Sequence, residues 1–205
     1  MFAEESSWIK DVIEKLPIST SMTVGNVGSS SLEFRTKVQP HIHENIIKPL
    51  LEKGFKVVNI DIKKEVGVDV IGDITSASFG SEFHNQFDMM ICTNLLEHVV
   101  DIGLVIDNLI KASMDNGFIL ITVPYKYKIH LDPIDNGFRP TPNEIAQLFS
   151  GREYTVVNSK IISIDNKLDY KIRKSRLPLW GYRERILFYF GKRNKVSGIL
   201  LQMNK

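Results

Sequence analysis

The alternation of short, β-branched runs with longer helical patterns constrains the fold of this chain most strongly. Seven runs are predicted to be strands: 22–25, 56–61, 68–72, 87–93, 117–124, 154–162 and 198–203. Amphipathic patterns predict helices at 31–53, with a break at Pro40, and at 99–113 and 141–149. Such an alternation forms a mostly parallel sheet with helices on both faces, whose ligand site lies beyond the carboxyl ends of the strands. We therefore predict an α/β fold and seek the function at that edge.

Length and composition favour a single domain over residues 1–205. The chain is 43% apolar and 24% charged, which suits a folded protein and excludes a disordered or repetitive one. The only cysteine, Cys92, excludes an intrachain disulfide and a multi-cysteine metal site. The first residues carry acids where a secretory signal carries bases, so we expect a cytoplasmic protein.

Three predicted strands end in residue types that bind nucleotide-like ligands. Gly25 and Gly28 lie in a turn that lets the backbone approach a ligand closely, and serines follow them. Asp61 ends the second strand, where a carboxylate characteristically binds ribose hydroxyls, and Asp73 ends the third. Each feature alone has a plainer explanation, a tight turn or a solvated acid. Their occurrence on successive strands favours a binding site.

The order of these motifs resembles class I S-adenosylmethionine (SAM)-dependent methyltransferases of the type that includes ubiquinone- and menaquinone-biosynthesis enzymes. The resemblance covers about residues 20–150 and includes the tract Asn-Leu-Leu-Glu-His-Val at 94–99 and the tract at 116–124. It implies a Rossmann-like, seven-stranded, mostly parallel sheet with one antiparallel strand. It also implies SAM as cofactor and S-adenosylhomocysteine (SAH) as product.

The resemblance assigns cofactor roles by position. The residues expected around the methionine part of SAM are Gly25, Asn26, Gly28 and Ser29, and those expected near the ribose are Asp61 and Ile62. The residues expected near the adenine are Asp73 and Ile74, and those expected on the sulfonium side are Asn94 and Leu95. Two positions depart from the family pattern. Thr23 stands where the family usually carries an acid, and Ser30 stands where it carries a third glycine.

The segment after the fifth strand, 124–142, is similar to a loop that covers the active-site mouth in many methyltransferases of this type. His130 and Asp132 are the candidate general bases for a proton on the acceptor, since an imidazole titrates near neutral pH. Loop shaping is an alternative for Asp132, and it is the better explanation for Asp135 and Arg139. Some relatives bind a divalent metal with an acid where this chain has Asn94, so we expect no metal here, although Glu97, His98 and His130 leave that alternative open.

A basic and aromatic insertion is predicted between the last two strands, at about 165–196. Residues 171–195 contain nine Lys or Arg and one acid, Glu184. Such a segment suits peripheral contact with an anionic membrane surface, at the inner membrane, or a lipid-linked acceptor. Nucleic acid is a less favoured partner. An oligomerisation arm of a homodimer, or a lid with solvated charges, is an equally good explanation.

The resulting hypothesis is SAM-dependent O-methylation of a small-molecule, sugar or lipid-linked acceptor. The alternative is a methyltransferase-like binding or scaffold subunit, which the departure at Thr23 motivates. An NAD-dependent dehydrogenase is less favoured, because its fingerprint requires a third glycine that this turn lacks.

Overall fold

The computed structural model describes residues 1–16, 21–130, 134–164 and 194–204. Seven strands form one sheet in the order β3-β2-β1-β4-β5-β7-β6. They are β1 (Thr23–Val27), β2 (Lys56–Asp61), β3 (Val70–Ile71), β4 (Phe87–Thr93), β5 (Ser113–Lys126), β6 (Tyr154–Ser163) and β7 (Lys195–Met203). Among the strands of the described residues, only β7 runs antiparallel to its neighbours, β5 and β6. The predicted mostly parallel sheet with one antiparallel strand is confirmed.

Helices cover both faces of the sheet, as predicted. The α-helices in the described ranges are α1 (Ala3–Lys15), α2 (Pro40–Ile42), α3 (Lys48–Glu52), α4 (Phe79–Glu82), α5 (Ile102–Ala112) and α6 (Pro142–Gln147). Alternate residues of β4 enter the two apolar cores: Met90 packs with α4, α5 and α6, whereas Met89 packs with α1 and α3. The central strand is therefore buried on both faces, which explains its continuous apolar sequence.

The helix predicted at 31–53 is broken into short segments. Two π-helical segments, Phe34–Val38 and His43–Ile47, alternate with α2 and α3. The break falls at Gln39, whose φ of −129° and ψ of 69° are non-helical, directly before Pro40. Because a proline ring disfavours helical geometry at the preceding residue, the interruption occurs where the sequence predicted it.

Helix α1 was not predicted, and it packs against the sheet. Trp8, Ile9, Val12 and Ile13 form its buried stripe. Trp8 lies directly over β7, where a Cβ added to Gly198 would come within 2.5 Å of its ring. The helical spacing of these apolar residues was a signal available in the sequence.

The predicted insertion follows β6 and precedes β7 in the chain. β6 ends at Ser163, and β7 begins at Lys195, so the last residues of the predicted insertion belong to the sheet. Residues 165–193, which carry nearly all of the basic block, lie outside the described residues. None of the described helices is both long enough and apolar enough to span a membrane.

Candidate functional site

A cavity of about 380 Å³ opens at the carboxyl ends of β1, β4 and β5. The glycine turn after β1 supplies one wall, and the segments that follow β4 and β5 supply the opposite wall. Phe2, beside α1, and residues of the broken helical region complete the lining. A cavity of this size is in the range that holds a small-molecule ligand or cofactor, and it lies where the alternating sequence predicted a site.

The glycine turn requires backbone conformations that few residues adopt. Gly28 has a φ of +67°, and a Cβ added there would lie 3.1 Å from the Leu95 side chain. Ser30 follows with a φ of +58°. Gly28 and Ser29 line the cavity, whereas Gly25 is buried in β1 against Met90 and Phe87. Gly25 therefore has a packing role in the described structure.

Arg35 holds this turn in place, and its role was missed from the sequence. Its buried guanidinium donates hydrogen bonds to the carbonyl oxygens of Ser29 (2.9 Å), Ser30 and Gly67 (2.7 Å). Burial lowers the pKa of Arg35 from its ordinary value, and the nearby carboxylates of Asp69 and Asp61 oppose that shift. Three carbonyl contacts from one side chain make the turn a rigid wall.

Asp61 lies beside the turn at the end of β2. Its Oδ2 accepts a hydrogen bond from the Ser30 amide at 2.8 Å, and its Oδ1 accepts one from the Lys63 amide at 3.0 Å. Each oxygen keeps a further lone pair for a ligand hydroxyl. Asp61 and the exposed Ile62 lie outside the cavity lining. The predicted ribose role is compatible with this placement and stays a prediction.

The predicted adenine residues are placed apart from the cavity lining. Asp73 accepts hydrogen bonds from the Thr75 amide and hydroxyl, so it stabilises a turn. Ile74 is buried in the core, and its carbonyl oxygen accepts a hydrogen bond from Asn108. Their assignment to the adenine stays a prediction.

Asn26 and Asn94 bring amide side chains to the cavity from neighbouring strands. Asn26 is in β1 and Asn94 follows β4 with a φ of +49°, and both line the cavity. The Asn94 amide group donates to Glu5 of α1 across 2.7 Å. Leu95 packs against Gly28 and closes the wall behind them. The sequence predicted both asparagines but missed Glu5, an acid within the apolar stripe of α1.

Three titratable side chains face one another on the opposite wall. Ligand atoms of Glu97, His98 and His130 all lie within 4.8 Å of one another. His98 donates through Nδ1 to the Ile134 carbonyl oxygen, and its Nε2 lies 3.7 Å from Glu97 Oε1. Two imidazoles and a carboxylate so placed could hold a transition-metal ion. The expectation that no metal binds stays a prediction.

Glu97 is the most perturbed acid of this cluster. Its side chain is 1% exposed, and Oε2 has no hydrogen-bond partner among the described residues. Burial raises the pKa of Glu97 to about 7, and the charge of Glu5 adds to the rise while nearby His98 and Arg139 oppose it. A carboxyl that titrates near neutral pH at a cavity wall can accept or donate a proton during a reaction.

The loop after β5 places one of the two candidate bases. His130 lines the cavity; its backbone amide donates to Asp135 at 2.9 Å, and its Nδ1 lies 3.2 Å from the same carboxylate oxygen. Arg139 also donates to Asp135, and this hydrogen bond holds the pKa of Asp135 well below its usual range. Asp135 and Arg139 thus shape the loop, as one interpretation of the sequence held. Asp132 lies outside the described residues.

No protein-family profile and no curated protein sequence matches this chain. Solved structures do match its fold. The crystal structure of the [4+2]-cyclase SpnF is 10% identical, with a TM-score of 0.61 over 96% of this chain and 81% of that one. A SAM-dependent methyltransferase from Archaeoglobus fulgidus is 11% identical, with a TM-score of 0.59 over 96% and 94%.

A third structural neighbour contains ligands. The 1,6-didemethyltoxoflavin-N1-methyltransferase of Burkholderia thailandensis, solved with 1,6-didemethyltoxoflavin and SAH bound, is 13% identical, with a TM-score of 0.55 over 99% of this chain and 79% of that one. The chain therefore has the Rossmann-like fold of class I SAM-dependent methyltransferases, which confirms the resemblance at the level of fold.

Proposed function

We propose that this chain is a SAM-dependent methyltransferase that methylates an oxygen of a small-molecule, sugar or lipid-linked acceptor. The observation that carries the proposal is the cavity at the carboxyl ends of β1, β4 and β5, with the glycine turn on one wall and His130 on the other. This cavity lies on the fold of class I methyltransferases, and one neighbour of that fold was solved with SAH and a small molecule bound.

The residues present fit the cofactor. Gly28 lines the cavity and has no side chain, so a ligand can approach the backbone there. Asn26, Gly28 and Ser29 would bind the methionine part, with Gly25 supporting them from β1, and Asn94 and Leu95 would lie on the sulfonium side. Asp61 would accept hydrogen bonds from the ribose, next to Ile62, and Asp73 and Ile74 would bind the adenine. The cofactor supplies a methyl group already activated on a positively charged sulfur.

The chain's own contribution is to orient the acceptor and manage its proton. As the new bond between oxygen and methyl carbon forms and the bond between sulfur and methyl carbon breaks, the acceptor hydroxyl loses a proton. His130, whose backbone amide donates to Asp135, would accept that proton, and Asp132 is the second candidate from the same loop. Alignment of the reacting atoms and exclusion of water provide the larger part of the rate enhancement.

Calorimetric titration with SAM, SAH and NAD tests the cofactor. We expect SAM and SAH to bind with micromolar affinity, NAD not to bind, and Asp61→Ala to weaken both sulfur ligands at least tenfold. The matched control is Asp115→Ala, which removes an exposed acid from the start of β5. A wild-type protein that binds neither SAM nor SAH would refute the enzyme and favour the scaffold alternative.

Methyl transfer itself needs a separate assay, because the [4+2]-cyclase neighbour has the same fold and a different reaction in its name. Purified protein is incubated with SAM carrying a labelled methyl group and a panel of hydroxylated small molecules, sugars and lipid-linked sugars. Label in a product, lost in His130→Ala, supports the proposed reaction. Binding of SAM without transfer to any hydroxyl class would contradict O-methylation.

The basic segment at 171–195 extends the proposal to location and assembly. Its charge supports peripheral contact with an anionic membrane surface from the cytoplasm, and an arm of a homodimer is the alternative. Co-sedimentation with phosphatidylglycerol vesicles, but not with phosphatidylcholine vesicles, would support the membrane contact. Light scattering of the purified protein would distinguish the dimer.

A further inference from the structure

The two cavity-lining amides, Asn26 and Asn94, have the same unusual arrangement. Each side chain donates its NH₂ group to a residue outside the cavity lining, Asn94 to Glu5 and Asn26 to Asn59 Oδ1 at 3.0 Å. No described residue donates to the carbonyl oxygen of either side chain, and neither oxygen is among the buried atoms that lack a partner. Both oxygens are therefore left for a ligand in the cavity.

The orientation of both amides follows from carboxylates behind them. A carboxylate only accepts hydrogen bonds, so Asn94 must point its nitrogen toward Glu5. Asp69 accepts from Asn59 Nδ2 at 2.9 Å, which turns Asn59 Oδ1 toward Asn26 and forces the nitrogen of Asn26 to donate. The usual ambiguity of amide orientation is thus removed by chemistry at both positions.

Glu5 is the stronger of the two anchors. It is fully buried, and its Oε1 also accepts a hydrogen bond from the Thr122 hydroxyl of β5. Its Oε2 accepts the backbone amide of Phe2 at 3.0 Å. Asp69 is exposed and acts through one intermediate amide, so its influence on the cavity is weaker.

The wall that results presents hydrogen-bond acceptors and negative potential. It consists of the carbonyl oxygens of Asn26 and Asn94, and the carboxyl of Glu97 lines the same cavity from the opposite wall. We propose that Glu5 and Asp69 are positioning residues that hold these two carbonyl oxygens toward the cavity, so that this wall recognises a cationic group. The inference rests on the proposed function, because SAM carries two cationic groups, its α-ammonium and its sulfonium.

The carboxylates behind the two amides also bear on Thr23, which departs from the family pattern. The family pattern carries an acid at that position, but Thr23 does not line the cavity, and its amide donates to Asp88. Negative charge reaches the cavity wall here through an acid on α1, Glu5, and an acid in the loop before β3, Asp69. The N-terminal helix is thereby an integral part of the site.

Calorimetry with three ligands tests the inference: SAM, SAH and 5′-methylthioadenosine, which lacks both the amino-acid part and the sulfonium charge. In Glu5→Gln, the new side chain can donate or accept, so Asn94 is free to turn its amide. We expect the dissociation constant of SAM to rise about tenfold in this variant and about threefold in Asp69→Asn, with 5′-methylthioadenosine unchanged in both. If SAM and SAH both lose affinity, the wall binds the ammonium that they share. If SAM alone loses affinity, the wall binds the sulfonium.

Controls separate recognition from folding. Glu4→Gln removes an acid from the same first turn of α1 without an amide partner, and it should bind all three ligands as the wild type does. A merely structural role for Glu5 would weaken all three ligands by the same factor. Equal weakening of all three ligands, or unchanged SAM affinity in both variants, overturns the inference. If Glu5→Gln fails to fold, the SAM affinity of Asp69→Asn is the deciding measurement. A wild type that binds none of the ligands refutes the proposed function instead.

Discussion

Glu97 lowers the stability of this protein as the pH rises, whereas a carboxylate in an ion pair raises it. Its pKa is about 7 in the folded chain against the ordinary value of 4.5, chiefly because the side chain is buried. The unfolded chain therefore releases this proton near pH 4.5 and the folded chain only near pH 7. The favourable contribution of the protonated form is complete below pH 4.5 and is lost as the pH rises toward 7.

The magnitude follows from the separation of the two pKa values. One pKa unit corresponds to about 1.4 kcal/mol, so Glu97 costs about 3 kcal/mol of folding free energy above pH 7 and about 1 kcal/mol at pH 5. Glu97→Gln keeps the shape of the side chain and removes the titration. We expect the free energy of unfolding of the variant, relative to wild type, to increase by roughly 2–3 kcal/mol between pH 5 and pH 8.

Urea denaturation of both proteins at half-unit pH intervals measures this difference. Subtraction of the wild-type curve from the variant curve cancels the contribution of carboxyls that do not interact with Glu97. Glu14→Gln, an exposed acid on α1, is the control and should give a flat difference. A flat difference for Glu97→Gln, or one that falls as the pH rises, would refute the assignment of a buried, raised-pKa carboxyl.

Three further substitutions test the packing around the site, each by thermal denaturation and SAH calorimetry. Gly28→Ala should lower the stability by about 2 kcal/mol, because a positive φ is combined with a close contact to Leu95. Its control, Gly151→Ala, has a φ of +85° and open space around the added Cβ, so it should lower the stability by about 1 kcal/mol. Equal losses of stability would contradict the close approach of Gly28 to Leu95. Arg35→Met should cost about 3 kcal/mol and weaken SAH, because three carbonyl oxygens lose their donor, while exposed Lys37→Met should change neither quantity. Gly198→Ala should destabilise the chain by about 2 kcal/mol through the collision with Trp8, and a wild-type melting temperature would show that α1 does not pack on β7.

The local features of the sequence determined much of the sheet and of the cavity's position. β2 and β4 have the predicted bounds, because each is a short run of mostly apolar residues bounded by polar ones. Pro40 interrupts its helix, and Thr141 caps α6 with a reciprocal hydrogen bond from Glu144, since both effects depend on residues a few positions apart. Gly28 was singled out because strand ends of a parallel sheet meet at one edge, and Asn94 because of the resemblance to methyltransferases; both line the cavity.

What only the tertiary structure decided depends on residues far apart in the chain. Glu5 reaches Asn94 across 89 positions and Thr122 across 117, and no local pattern encodes those contacts. The raised pKa of Glu97 and the role of Arg35 likewise depend on which atoms surround them after folding. Burial and long-range hydrogen bonds set the electrostatics of this cavity, and they exist only once β1, β4 and β5 lie side by side beneath α1.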